Sequence, residues 1–231
     1  MTMISSWGRY LLFRATPEEL ANLSWKTWLG PALVATWLAG MGRYWDHPSA
    51  HLLQMFGIGS VIYVFVLGAL LWMVILPLHP RRWGYLQTVT FVALTAPPAF
   101  LYALPVERVM TLEHATTTNV WFLAVVAAWR VALLLFVCRR YTELTWPRTL
   151  VGSLLPLVII VVCLAALNLE KAVFEIMGGL RQPTANDGAY AVVVLLTLLS
   201  FVGVLPLLAI YLMLARRARR ESRETGGVVT K

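Results

Sequence analysis

Arg130, in the stretch VVAAWRVALLLF, is a charged group set inside a hydrophobic run long enough to cross a bilayer. Counting along a helix to Arg139 and Arg140 puts it about 13 Å from the end of that run. Snorkelling shortens the distance without abolishing it. An arginine at such depth costs about 2.5 to 3.5 kcal/mol, so it must face protein or water. No carboxylate shares its depth, which leaves backbone carbonyls as partners. A proline inside a helix frees the carbonyl four residues earlier. Pro156 would free that of Gly152 and Pro206 that of Val202, at depths similar to Arg130. Two roles follow for Arg130: structural anchoring, which is the expectation, or contact with an anion or lipid headgroup.

Three other groups carry chemistry. In GMGRYWDHPSAH, residues 40–51, Gly40 and Gly42 allow close helix approach. Arg43, Tyr44 and Trp45 suit a membrane interface, and Asp46 to Pro48 reads as a turn. His47 and His51 have helical spacing beside Asp46, and with His114 they compose a conceivable metal set. Pro48 interrupts the pair, so an ordered interfacial turn is the preferred reading. In LNLEKAVFEIMGGL, Glu170 and Glu175 flank an apolar stretch that Gly178 and Gly179 end. They can do acid–base work or bind a cation, but solvated carboxylates on a short re-entrant or interfacial helix are expected. At the carboxyl end, Arg216, Arg217, Arg219 and Arg220 would sit near anionic lipid, each contributing about 1 kcal/mol. The alternative is that this cluster only sets topology.

Nucleophile elbows, metalloprotease histidine–glutamate pairs and phosphate-binding glycine loops are absent from the sequence, and no cofactor is expected. Composition points to a membrane protein. Of 231 residues, 59% are hydrophobic and only 13% charged, too apolar for one soluble core of this size. The net charge of +8 and pI of about 9.9 would suit nucleic acid, yet the basic residues cluster between apolar runs and argue against it. Cys138 and Cys163 lie in apolar stretches and are expected to pack rather than pair.

These groups need helices to hold them. Six runs approach spanning length, at residues 28–45, 57–78, 83–104, 118–138, 149–169 and 190–215. Pro97 and Pro98 interrupt the third. Fourteen of the 19 basic residues fall in the loops and ends of one side and four on the other, Arg130 being within a span. The positive-inside rule then places both termini in the cytoplasm. The opposite side holds six acids, Asp46, Glu107, Glu113, Glu170, Glu175 and Asp187. Residues 1–27 have no signal-peptide core. Thr16, Pro17 and Glu19 spell a helix start, and the helix from Pro17 is expected to lie in the interface with Leu20, Leu23 and Trp28 towards lipid. The alternative is a longer first span kinked near Gly30 and Pro31. Residues 216–231 form a basic tail, expected to be disordered from residue 221.

The segment order, with LTAPPAFLYALP in the third span and an arginine–tryptophan pair in the fourth, resembles bacterial Yip-domain membrane proteins. The motif GRYWD is also similar to bacterial inner-membrane proteins. The likeness is architectural and covers roughly the first five spans. Yip-domain proteins usually have five spans and a longer cytoplasmic amino-terminal region, so no site residue and no Rab-type partner carries over. The sequence reading is thus an all-α polytopic protein of the cell inner membrane, with about six spans. It would act as a scaffold, assembly or trafficking-type factor through helix–helix and lipid contacts, with a membrane-protein partner or a second copy. A small transporter or channel with Arg130 near the pathway is the alternative. A membrane enzyme or metal-binding protein using the far-side histidines and carboxylates is the least favoured.

Overall fold

A computed structural model describes residues 3–44, 52–169 and 188–227, which are helices and turns with no strand among them. Two short helices lead, α1 (Met3–Leu11) and α2 (Pro17–Asn22), followed by α3 (Trp25–Tyr44) and the single turn α4 (Leu52–Met55). Then come α5 (Ile58–Ile75), α6 (Tyr85–Ala93), α7 (Leu112–Arg140), α8 (Trp146–Ala166) and α9 (Gly188–Gly227). Short 3₁₀ segments occupy Leu76–Leu78, Pro97–Ala103 and Val106–Arg108.

Four helices, Ile58–Leu78, Thr117–Arg140, Trp146–Ala166 and Val194–Ser222, are long and apolar enough to cross a membrane. A fifth crossing is available if α6 and Pro97–Ala103, bent by 43°, count as one broken span. The bend has a covalent cause: Pro97 and Pro98 lack the N–H groups that would continue the ladder. The first expected span is the 20-residue α3, with Pro31 inside it. Its Trp, Gly, Pro and Thr residues, together with Lys26 and Arg43, leave it less apolar than the other four.

Several basic loops meet at one end. The Arg81 amide donates to the Thr142 carbonyl at 3.1 Å, and the Arg81 guanidinium pairs with Glu143 at 2.7 Å. Arg148 pairs with Glu221 at 2.6 Å, and the Arg139 guanidinium donates to the Leu144 carbonyl at 2.6 Å. The starts of α3 and α6 coincide, since the Trp25 amide donates to Gln87 Oε1 at 3.1 Å. Glycines set the close packing. A Cβ on Gly68 would lie 2.7 Å from Val89 Cγ2, and one on Gly40 2.5 Å from Ser60 Oγ. The small-residue reading of Gly40 is therefore met in the α3–α5 contact.

The capping box is present as the sequence spells it. Thr16 Oγ1 accepts from the Glu19 amide at 3.3 Å, and Glu19 Oε2 accepts from the Thr16 amide at 2.8 Å, with Pro17 opening α2. The orientation expected of this segment is corrected. Leu20 and Leu23 are fully buried and Trp28 nearly so, packed in one core with Val89, Phe91, Leu133 and Val137. That face is apolar because it meets protein, not lipid. The carboxyl end is corrected as well: α9 runs on to Gly227, so the basic residues from Arg216 continue a helix.

Candidate functional site at the break in the third span

Where α6 stops, the backbone loses its regular partners, and four side chains from three other helices replace them. Tyr10 Oη donates to the Phe91 carbonyl at 3.1 Å. Thr36 Oγ1 donates to Ala93 O at 3.3 Å, and Trp7 Nε1 donates to Leu94 O at 3.0 Å. Arg130 Nε donates to Thr95 O at 3.4 Å, a long contact for an N–H donor. Ala93 and Leu94 are the carbonyls four residues ahead of Pro97 and Pro98, which lack the N–H groups to meet them; Ala93 O accepts instead from the Ala96 amide at 3.0 Å. A buried carbonyl without a donor costs about 1–3 kcal/mol, so the contacts to Phe91 O, Leu94 O and Thr95 O each offset a deficit. The Thr95 hydroxyl adds a bond of its own, to Val92 O at 2.6 Å.

Each donor is held by its surroundings. Tyr10 is buried, with its ring 6.1 Å from that of Phe91, and Trp7 meets Trp28 edge to face at 5.7 Å. Arg9, one residue earlier, forms an ion pair with Glu19 at 3.3 Å, tying α1 to α2. The turn after α1 puts Phe13 at φ 59°, a costly backbone for a bulky residue. Its ring is stacked on Trp129 at 6.2 Å and meets Phe136 edge to face at 5.9 Å, which holds that conformation. Trp129 Nε1 in turn donates to Leu11 O at 3.0 Å, so α1 is fastened to α7 one residue from Arg130. Gln87 joins the other side, donating to Leu23 O at 2.8 Å while accepting from the Trp25 amide.

Arg130 therefore does bind a carbonyl of a proline-broken helix, but not the ones expected. The break is that of the third span rather than those at Pro156 or Pro206. Pro156 lies within continuous α8 and Pro206 within continuous α9. Gly152 faces Leu78 instead. Depth matching along the chain could not tell three proline sites apart.

The other candidates lie apart from this cluster. Arg43 and Tyr44 end α3. Trp45, Asp46, His47 and His51 fall outside the described residues, as do Glu170 and Glu175. His114 is exposed near the start of α7, its ring Nδ1 2.7 Å from Thr111 Oγ1. Among the described residues no group of three or more His, Cys, Asp or Glu is arranged to hold a metal. Arg216, Arg217, Arg219 and Arg220 are exposed on α9, while Ala215 and Ala218 of the same turns are buried. Cys138 is buried and Cys163 exposed, both as free thiols.

Sequence reasoning missed Trp7, Tyr10 and Thr36. A signal for the first two was present: aromatic residues with a polar tip, repeated along a short segment, seek a donor's partner when buried. For Thr36 the signal was a hydroxyl within an apolar run, and its single proton is shared between Ala93 O and the nearer Ala32 O, at 2.9 Å. Chemically, the cluster is a set of neutral and cationic donors turned on a backbone break, suited to fixing helices rather than to moving protons. No protein-family model, curated protein or solved structure matches the chain.

Proposed function

We propose that the protein is a non-enzymatic integral membrane component with six spans and both termini in the cytoplasm, working in a cell inner membrane as a scaffold or assembly factor. The observation that carries this reading is the use made of the polar groups around the break. Trp7, Tyr10, Thr36 and Arg130 all donate to backbone carbonyls there, so side chains that could do chemistry are spent on holding α1, α3, α6 and α7 together. The outward surface supports the same role. Leu195, Phe201, Val202, Leu205 and Met213 of α9 are exposed and apolar, a face for lipid and for a partner helix. The scaffold role also agrees with the trafficking-type role that the Yip-domain resemblance implies, without its GTPase partner.

Photo-crosslinking from position 205 in native membranes tests the proposal. A discrete protein adduct, either a second copy or another membrane protein, is expected; adducts to lipid alone would refute it. Cysteines at positions 84 and 110 should label from opposite sides of the membrane, and labelling from one side would overturn the topology. The second reading, a small transporter, is favoured by one observation: Arg130 is only partly buried. Cysteines placed around Arg130 that stay inaccessible to water-soluble reagents in every condition would remove it.

A further inference from the structure

We propose that α9 carries a site for one anionic phospholipid, with Arg216 and Arg220 on its phosphate and Ala209 and Met213 along its acyl chains. Val202, Leu205, Ala209, Met213, Arg216 and Arg220 follow one another at intervals of three and four residues, so they form one row along the helix. Each of them is exposed. The row is apolar as far as Met213 and basic from Arg216, with no change of face between the two. Contacts on the other side hold α9 in the rotation that turns this row outward. Tyr211 Oη donates to Val74 O at 2.9 Å, Ala215 and Ala218 are buried, and Glu221 pairs with Arg148 at 2.6 Å.

The level at which the row changes is that of a headgroup layer. Ala215 shares a buried cluster with Cys138 and Leu144, and Arg139 and the exposed Trp146 follow those two within two residues. Tryptophan with arginine is the composition of a membrane interface. Arg216 and Arg220 are separated by about 6 Å along the helix axis, close to the depth of one headgroup layer. One turn apart on one face, their guanidinium forks can meet the oxygens of a single phosphate. The charge selects the headgroup: residues 81–82, 139–148 and 216–224 hold ten arginines against three glutamates. A choline headgroup would bring its own cation into that field, and a glycerol headgroup would not. Half the hydrocarbon core is about 15 Å, or roughly ten residues of helix. The acyl chains therefore cover residues 206–215 and leave Leu205 to the partner helix. A soluble phosphate would gain the charge contact without the apolar row.

Full-length protein released from nanodiscs of phosphatidylcholine with a minor share of phosphatidylglycerol, its retained lipids read by native mass spectrometry, tests the site. Phosphatidylglycerol is expected to be retained well above its share of the disc. R216Q/R220Q should lower that enrichment by about tenfold or more, at about fivefold for each arginine. R217Q/R219Q removes the same charge from the flanks of the row and should lower it by less than about twofold. Wild-type protein retaining the two lipids in the bulk ratio would overturn the proposal. Equal losses in the two double variants would overturn it too, since charge alone, without the row, gives that result. If R216Q/R220Q does not fold, wild-type protein decides with phosphatidylglycerol that carries a photoreactive group on its acyl chain. Adducts concentrated in residues 206–216 uphold the site, and adducts spread evenly over α5, α7, α8 and α9 remove it. The site rests on the membrane reading of α9, but its failure leaves the scaffold reading standing, because that reading is tested at position 205.

Discussion

Replacing Tyr10 by Phe removes one oxygen and keeps the ring. In the native chain that oxygen donates to the Phe91 carbonyl at 3.1 Å, and Tyr10 and Phe91 are both buried. The remaining ring still meets Phe91 at a centroid distance of 6.1 Å, so little packing is lost. What is lost is a buried hydrogen bond, and a carbonyl is left without its side-chain donor. A net bond is worth about 1 kcal/mol and an unsatisfied buried group costs about 1–3 kcal/mol. We expect a loss near 2 kcal/mol, close to a 30-fold shift in the folding equilibrium. Equilibrium unfolding in bicelles, followed by circular dichroism, measures it. A change smaller than about 0.5 kcal/mol, the size of an ordinary surface substitution, would refute the placement of α1 against the break. A lipid-facing interfacial helix would give that small change, because its phenol would trade one wet surface for a slightly less polar one.

Other perturbations have equally definite outcomes. Gly57→Ala should cost more than about 2 kcal/mol, since φ is +64° and a left-handed backbone alone costs about 1–2 kcal/mol. Its Cβ would also lie 2.7 Å from Trp37 O and 2.8 Å from the Met41 nitrogen, both backbone atoms; an unchanged melting temperature would refute the α3–α5 contact. Glu221→Gln breaks the ion pair with Arg148 and should change global stability by less than about 1 kcal/mol, as exposed pairs do. Hydrogen exchange in residues 216–224 should nonetheless quicken in that variant. The Glu18 carboxyl is held below its usual range by the amide of its own helix start, then by the Thr16 hydroxyl, with Arg82 adding to both. Its contribution is present above the ordinary carboxylate value and is lost as pH falls through the depressed one. Glu18→Gln should flatten that part of the acid unfolding profile, and an unaltered profile would count against the cap.

The elements read most accurately from sequence were those with local causes. Thr16, Pro17 and Glu19 specify a helix start through contacts within four residues, and the structure has it. The long apolar runs behind α5, α7, α8 and α9 declare themselves because lipid demands unbroken helix. Position relative to other helices is a different kind of information. Leu20, Leu23 and Trp28 make an apolar face, and an apolar face looks the same whether lipid or protein covers it. The partner of Arg130 was legible in kind, a carbonyl freed by proline, but not in place. Applied to Pro97 and Pro98, the same rule marks Ala93 and Leu94; Ala93 O is met by the Ala96 amide with Thr36, and Leu94 O by Trp7. Arg130 takes the next carbonyl along. The tail beyond Arg216 misled because polar composition suggests disorder, whereas Ala215 and Ala218 give it a buried face.

The break in the third span also bears on the order in which the chain is made. Synthesis runs from the amino terminus, so Trp7, Tyr10 and Thr36 leave the ribosome before the carbonyls of residues 91–95 that they serve. The kinked segment thus meets three of its four donors already present when it enters the membrane. Only Arg130 arrives later, on the next helix, and its arrival closes the set. A chain lacking α1 would insert the same apolar runs yet leave the Phe91 and Leu94 carbonyls without these donors during assembly.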